Sequence, residues 1–291
     1  MSDNLVEAPT RDINVQVDQD TQGEFAKVIR LFETDLRSNG AVTLNELLDH
    51  VLDLEAKYED RLSDEELAVL GSLSLLLGIS KKMIKAETST PKLQTEITKN
   101  HLEAIGVQRE IAGIILTNLD SNGKPKPEIS RFYRIVAGVF EDYFNPENPK
   151  LEDAGIERKA GVFQGILGMT ATAFLFKNAG YEIRYPPPQY DLEHEVDLLV
   201  RDREGKIYAV DITARTPRPT GEGEVGSAFS LGEKSGYPSF LKEKLGLNGF
   251  LRINVPPLMH HESNEFYDDR ATGYPSELAK SKFSSKLDEI L

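Results

Sequence analysis

The hydrophobic pattern of this chain changes period near residue 150, and that change sets what it can fold into. Before it, apolar residues recur every three or four positions. In "GEFAKVIRLFETDLRSNG", Phe25, Val28, Ile29, Leu31, Phe32 and Leu36 keep helical spacing, and Asn39-Gly40 stops the run. "TLNELLDHVLDLEAKYEDRL" opens with Thr43 and Glu46, and "SDEELAVLGSLSLLLGI" with Ser63 and Glu66; both pairs have capping-box spacing. A helical stretch from about Lys92 to Leu119 follows, then the turn-rich "SNGKPKPEIS", the helix "RFYRIVAGVFEDYF" and the break "NPENPK".

After the break the texture differs. "ERKAGVFQGILGMTATAFLFKNAGY" is a helix of small and apolar residues that Gly180 closes. "YEIRYPPP" reads as a short strand stopped by prolines, and "EVDLLVRD" and "KIYAVDITA" as strands of a hairpin around "REGK". "TPRPTGEGEVG" reads as a flexible loop, "PSFLKEKLG" as a short helix, "GFLRINVPP" as a fourth strand and "SELAKSKFSSKLDEIL" as a closing helix. The order α-β-β-β-α-β-α predicts a mixed sheet with helices packed on it. The expected organisation is a flexible tail over 1–20, an α-helical domain over 21–148 and an α/β domain over 149–291.

Composition bounds function. The net charge is −14, and the halves differ: −4 from residue 150 onward and −10 before it. An acidic surface repels a polyanion unless cations cluster locally, which counts against a simple nucleic-acid binder. The chain has no cysteine, so disulfides and thiolate metal sites are excluded. No apolar run approaches the roughly 20 residues of a membrane-spanning helix. The start, "MSDNLVEAPTRD", shows neither the basic flank nor the apolar segment of a secretory signal. These features lead to the expectation of a cytoplasmic protein without membrane contact.

The hairpin carries the chemistry. Strand side chains alternate, so Val196, Leu198 and Val200 share one face while Glu195, Asp197 and Leu199 share the other. On the next strand Ile207, Ala209, Asp211, Thr213 and Arg215 share a face opposite Tyr208, Val210 and Ile212. If the two acidic faces coincide, Asp197 and Asp211 meet on adjacent strands. Neighbouring carboxylates resist joint ionisation unless a cation neutralises them, and oxygen ligands suit Mg²⁺ or Mn²⁺. Such an ion polarises a phosphate and activates water. The plainer reading is a hairpin whose acidic side faces solvent.

The order of elements, with "NAGYEI", "HEVDLLV" and "AVDITAR", resembles the PD-(D/E)XK (restriction-endonuclease-like) nuclease superfamily, in particular its branch similar to Holliday-junction resolvases. The resemblance runs from Gly161 to Arg215. It implies an αβββαβ core and metal-dependent cleavage of phosphodiester bonds. Asp197 matches the family's metal-binding Asp, and Asp211 matches the acidic residue of the third strand. Glu195 stands beside them as a further ligand for Mg²⁺ or Mn²⁺. Thr213 stands where the family has a catalytic Lys, so that positive charge is lost. His194 replaces a Gly before the acidic strand. Met169 falls where the preceding helix often carries a Glu, with Gln164 or Glu157 as substitutes in another register. Among displaced cations, Arg215 shares the Asp211 face, Lys206 has the opposite parity, and Lys177 comes from the helix.

Other motifs are weaker. His50 and His101 lack a partner at metal-ligand spacing and read as structural. "LMHHESNEF" brings His260, His261, Glu262 and Glu265 together without the His-Glu-x-x-His zinc spacing, and reads as a loop near the sheet edge. "TGEGEVGSAFSLGEKSG" fits neither a phosphate-cradling loop nor a dinucleotide fingerprint, and reads as a mobile loop over the acidic site. The G-x-S-x-G serine-nucleophile signature is absent.

Three functions compete. The first is a metal-dependent DNA endonuclease, with Arg184, Arg201, Arg203, Arg215 and Arg218 on phosphates and the helical half selecting substrate or partners. The second is a nuclease fold without catalysis that binds nucleic acid or serves as a scaffold. The third is an interaction protein whose acidic helical half binds a protein partner, pairs with a second copy as a homodimer, or mimics DNA.

Overall fold

The computed structural model describes residues 23–39, 44–88, 94–143, 160–213, 229–235, 239–257 and 262–291. The expected tail, the Thr43 cap, the "TPRPTGEGEVG" loop, Arg215, Arg218, Glu157, His260 and His261 lie outside them. The first half is helical: α1 (Glu24–Asn39), α2 (Leu44–Tyr58), α3 (Asp64–Thr88), α4 (Gln94–Thr117) and α5 (Pro127–Tyr143). The capping box forms at the start of α3. Glu66 N–H donates to Ser63 Oγ at 3.3 Å, and Ser63 N–H donates back to the Glu66 carboxylate at 2.9 Å. Between α4 and α5, Asp120 Oδ1 accepts the N–H groups of Asn122 and Lys124, and Gly123 supplies the left-handed φ of 73° that the turn needs.

Helix α6 (Ala160–Asn178) joins the halves. Its apolar residues surround the whole helix, so it is buried on several sides. Val162, Phe163, Ile166, Leu167 and Phe174 pack into the core of α1–α5, whereas Ala171, Leu175 and Phe176 pack into the core under the sheet. It ends in a Schellman motif. Tyr181 N–H donates to Phe176 O, Gly180 N–H donates to Lys177 O, and Gly180 sits at φ 88°. The Phe176 and Tyr181 rings meet edge-on at 5.5 Å, the apolar contact that accompanies this cap.

The strands are β1 (Glu182–Arg184), β2 (Leu198–Arg201), β3 (Ile207–Thr213), β4 (Ser230–Glu233) and β5 (Leu247–Asn254). They form a five-stranded mixed sheet in the order β1-β2-β3-β5-β4; β3 and β5 are parallel and the other neighbours antiparallel. The β2–β3 hairpin closes through Asp202 and Lys206, with Gly205 at φ 85°. Helix α7 (Pro188–His194) lies between β1 and β2, and α8 (Ser239–Leu245) between β4 and β5. A small unit of α9 (Ser263–Phe266), β6 (Tyr267–Asp269) and β7 (Tyr274–Pro275) precedes the last helix, α10 (Glu277–Ile290). Leu198, Val200, Tyr208, Val210, Leu251 and Ile253 point into the core with α6 and α10, which leaves Ala209 and Asp211 on the other face.

Four expectations are corrected. Ser263–Phe266, part of a segment read as a loop, forms the short helix α9. Val196, expected beside Leu198 and Val200, packs with Ala209 and Leu247 on the other face, because the ladder slips at Asp197. Pro188 starts a helix rather than only ending a strand, because Pro suits the first helical turn. Ser230–Glu233, read as part of a mobile loop, is the edge strand β4 paired with β5. Among the described residues, no helix is long and apolar enough to cross a membrane.

Gly273, in the turn between β6 and β7, has φ 71°, and a Cβ there would fall 2.7 Å from Leu167 O of α6. Gly78, inside α3, has nothing within 4 Å of its would-be Cβ. Gly273→Ala is expected to lower stability by roughly 2–4 kcal/mol through backbone strain and overpacking. Gly78→Ala should raise it by about 0.5–1 kcal/mol. Urea unfolding midpoints of the two variants check both signs.

Candidate active site

The β2–β3 register pairs Leu198 with Val210 and Leu199 with Ala209. Before that pairing begins, Asp197 N–H donates at 2.9 Å to the O of Val210, the residue already opposite Leu198, so the ladder slips by one residue at Asp197. Asp197 Oδ2 accepts the Ile212 N–H at 2.7 Å, which fixes the carboxylate against β3. Asp211 is 5% exposed. A carboxylate this deep needs opposite charge close by. Arg252 Nε, from β5, lies 2.5 Å from Asp211 Oδ2, and Lys234 Nζ, just past β4, lies 2.6 Å from the same oxygen. The parallel β3–β5 register pairs Asp211 with Arg252, and the antiparallel β4–β5 pairing carries Lys234 alongside.

Glu195 completes this side. Lys234 Nζ donates to its carboxylate, and Arg252 Nη2 lies 3.3 Å from it. Glu195 caps α7 in the left-handed region at φ 53°, a conformation that costs a non-glycine residue roughly 1–2 kcal/mol. Its N–H donates to Asp191 O at 2.8 Å and the following Val196 N–H to Tyr190 O, so the turn is tied down on both sides of the strained residue.

Asp191 of α7 brings a further carboxyl. Its side chain neighbours that of Asp197, and the two buried carboxyls resist joint ionisation. Burial, followed by the charge and hydrogen bond of Asp191, pushes the Asp197 pKa well above the ordinary aspartate range; the Ile212 N–H opposes this. Burial also raises Asp191, against the pull of Asp197 and Arg109. Arg109 arrives from α4. It is buried, donates to Pro186 O, and places Nη2 3.4 Å from Asp197 O and 3.5 Å from Asp191 Oδ2. The carboxyls of Asp191, Asp197, Asp211 and Glu195 thus face the cations of Arg109, Lys234 and Arg252.

The other sequence candidates separate. Thr213 Oγ1 hydrogen-bonds Asn254 Oδ1 at 2.9 Å on the neighbouring strand. Lys206 pairs with Glu204 at 2.8 Å in the hairpin turn. Lys177 is exposed at the end of α6, which packs on the opposite sheet face. Met169 is buried and carries no ionisable group, and Gln164 Nε2 is buried with no hydrogen-bond partner among the described residues. His50 stacks on Phe32, and His101 lines a cavity of about 290 Å³ with Gln108 and Asp191. Asp191, Arg109, Lys234 and Arg252 join the site without having been singled out in the sequence for it.

The donor chemistry of Asp197 and Asp211 fits Mg²⁺ or Mn²⁺, which bind through one or two carboxylates completed by water and phosphate. In the present arrangement those oxygens are held by Lys234, Arg252, Asp191 and the Ile212 N–H. Among the described residues, no group of three or more His, Asp or Glu side chains is arranged to hold an ion. No family model, curated protein or solved structure matches the chain.

The raised pKa of Asp197 has a signed consequence. The folded chain keeps the proton to higher pH than the unfolded chain. The stability this contributes is full below the ordinary aspartate pKa and is lost as pH rises through the raised value. Asn at this position keeps an acceptor for Ile212 N–H and cannot ionise. In metal-free buffer Asp197→Asn is expected to melt above wild type at about pH 8, with the gap closing toward about pH 4. Melting curves across that range check it.

Proposed function

We propose that the chain is a metal-dependent DNA endonuclease with a restriction-endonuclease-like core made of α6, β1, β2, β3, α8 and β5. Support comes from the strand order β1-β2-β3-β5, with the last pair parallel, and from the Asp197 carboxylate, which accepts the N–H of Ile212 next to Asp211. The observation that carries the reading is Lys234 Nζ, 2.6 Å from Asp211 Oδ2 and only 12% exposed. A cation missing from position 213 is supplied from the end of β4.

Asp197 and Asp211 would hold Mg²⁺ or Mn²⁺, which when bound supplies charge neutralisation at the phosphate and a more acidic water. The chain's own groups do the rest. Lys234 faces the charge that develops on the phosphate oxygens as water adds and the P–O bond breaks. Arg252 holds Asp211 in register with β5. Asp191 and Arg109 fix the turn that presents Asp197.

The test is cleavage of plasmid, single-stranded and branched DNA with Mg²⁺ or Mn²⁺. Asp197→Ala and Asp211→Ala are expected to abolish cutting. Lys234→Met is expected to lower kcat by roughly 10²–10³-fold, as removal of one charge-stabilising group does elsewhere. Arg215→Ala should leave most of the rate. The opposite result for Lys234 and Arg215 would hand the role to Arg215. DNA binding without cutting in the unaltered chain would make the fold a non-catalytic binder.

A further inference from the structure

Lys234 and Arg252 share their carboxylates. Lys234 Nζ lies 2.6 Å from Asp211 Oδ2 and also donates to the Glu195 carboxylate. Arg252 Nε lies 2.5 Å from the same Asp211 oxygen, and its Nη2 lies 3.3 Å from Glu195. The four side chains carry two charges of each sign, so the quartet is neutral by itself. Its centre is Asp211 Oδ2, the oxygen both cations touch.

A divalent ion at Asp211 meets this arrangement as a competitor. Like charges repel most strongly where water is scarce. The Asp211 and Lys234 side chains are 6% and 12% exposed. The ion therefore gains Asp211 only as the ammonium withdraws. A withdrawn ammonium in such surroundings is desolvated without a counter-charge, which is costly. A phosphate alone does no better. It competes with two carboxylates for the same cations, and the one it strips of charge at Asp211 is buried. Together the two ligands exchange partners with the quartet, the ion going to Asp211 and the phosphate to Lys234 and Arg252. No charge is then left buried and alone.

The sheet keeps this exchange local. Lys234 N–H donates to Phe250 O at 2.9 Å, and Arg252 is paired with Asp211 on one side and with Gly232 on the other. Both backbones are pinned, so only side chains need to move, and the released cations stay within side-chain reach of Asp211. The outer members of the quartet, Arg252 and Glu195, are exposed, which gives a phosphate an approach from solvent.

We propose that the quartet couples two ligands: a divalent cation at Asp211 and a phosphodiester at Lys234 and Arg252 bind tightly together and weakly apart. The proposal rests on the nuclease reading for the identity of the two ligands. Such coupling is reciprocal, each ligand tightening the other by the same factor.

The experiment reads binding and cutting separately. The full chain is titrated with Mn²⁺, and unbound ion is followed by electron paramagnetic resonance. One series contains dimethyl phosphate, a phosphodiester without base or strand; the other contains sodium chloride at the same ionic strength. A protein-free series corrects for Mn²⁺ bound by the ester itself. Wild type should bind Mn²⁺ at least about five-fold more tightly with the ester present. Lys234→Met should bind Mn²⁺ alone at least about five-fold more tightly than wild type does, and the ester should improve that by less than about two-fold. Lys234→Arg keeps the charge and should behave as wild type. Without ester, Mn²⁺ should raise the melting temperature of Lys234→Met more than that of wild type. A wild-type affinity that the ester leaves unchanged, or no Mn²⁺ binding in either series, overturns the proposal, and neither result depends on a variant folding. So does a folded Lys234→Met that binds Mn²⁺ no more tightly than wild type. DNA cleavage is scored on the same preparations. Cutting with Mn²⁺ affinity indifferent to the ester keeps the nuclease and removes the coupling; coupled binding without cutting keeps the coupling and removes the nuclease.

Discussion

Helix α6 is the wall that both cores share. An amphipathic helix buries one stripe and leaves the rest to water, but α6 is apolar around its circumference and must be enclosed. The α1–α5 bundle covers one side and the sheet covers another. Each cover is then placed relative to the other. Helix α4 packs against α6, and Gln108 Nε2 donates to Val162 O across that contact. The next residue of α4, Arg109, is thereby aimed at α7 and the turn before β2. A helical half with no carboxylate of its own in the site still decides where Asp197 sits.

Burial makes the charges at this site costly to separate. Removing one partner of a buried ion pair leaves the other desolvated and unpaired, and that penalty commonly exceeds what the pair contributes. Asp211 is held by Arg252 and Lys234, and Asp197 accepts a backbone N–H. Such a balance resists loss of any single member but admits replacement. On the nuclease reading proposed above, a divalent cation would bring the charge that the two side chains now supply, and a phosphate the negative charge that would re-pair them.

What could be read from the sequence was local. The β2–β3 hairpin declares itself through two-residue alternation and a short turn, but counting fails at its start, where Val196 packs with Ala209 rather than with Leu198. The Ser63–Glu66 cap and the Gly180 stop are also short-range signals. Arg252 reaches Asp211 only through the parallel β3–β5 pairing, 41 residues apart, and no local pattern encodes that register. Lys234 depends on β4, four residues long with a glycine inside, too short to show alternation. Asp191 was hidden because three prolines looked like a terminator, although the last of them begins a helix. Arg109 bonds to Asp197 from 88 residues away, through a helix whose packing only the folded chain reveals.

The acidity of the chain now has a place in the argument. A net charge of −14 repels a polyanion at long range, so approach at low salt is slowed rather than steered. That field is a sum over the whole surface, whereas binding is decided within about a Debye length of the contact, about 8 Å at physiological salt. Within that distance, Lys234 and Arg252 on the sheet face are each paired with Asp211 and Glu195. An anion that reaches this face competes with those two carboxylates for the same cations, so the local pairing and the net charge act in one direction.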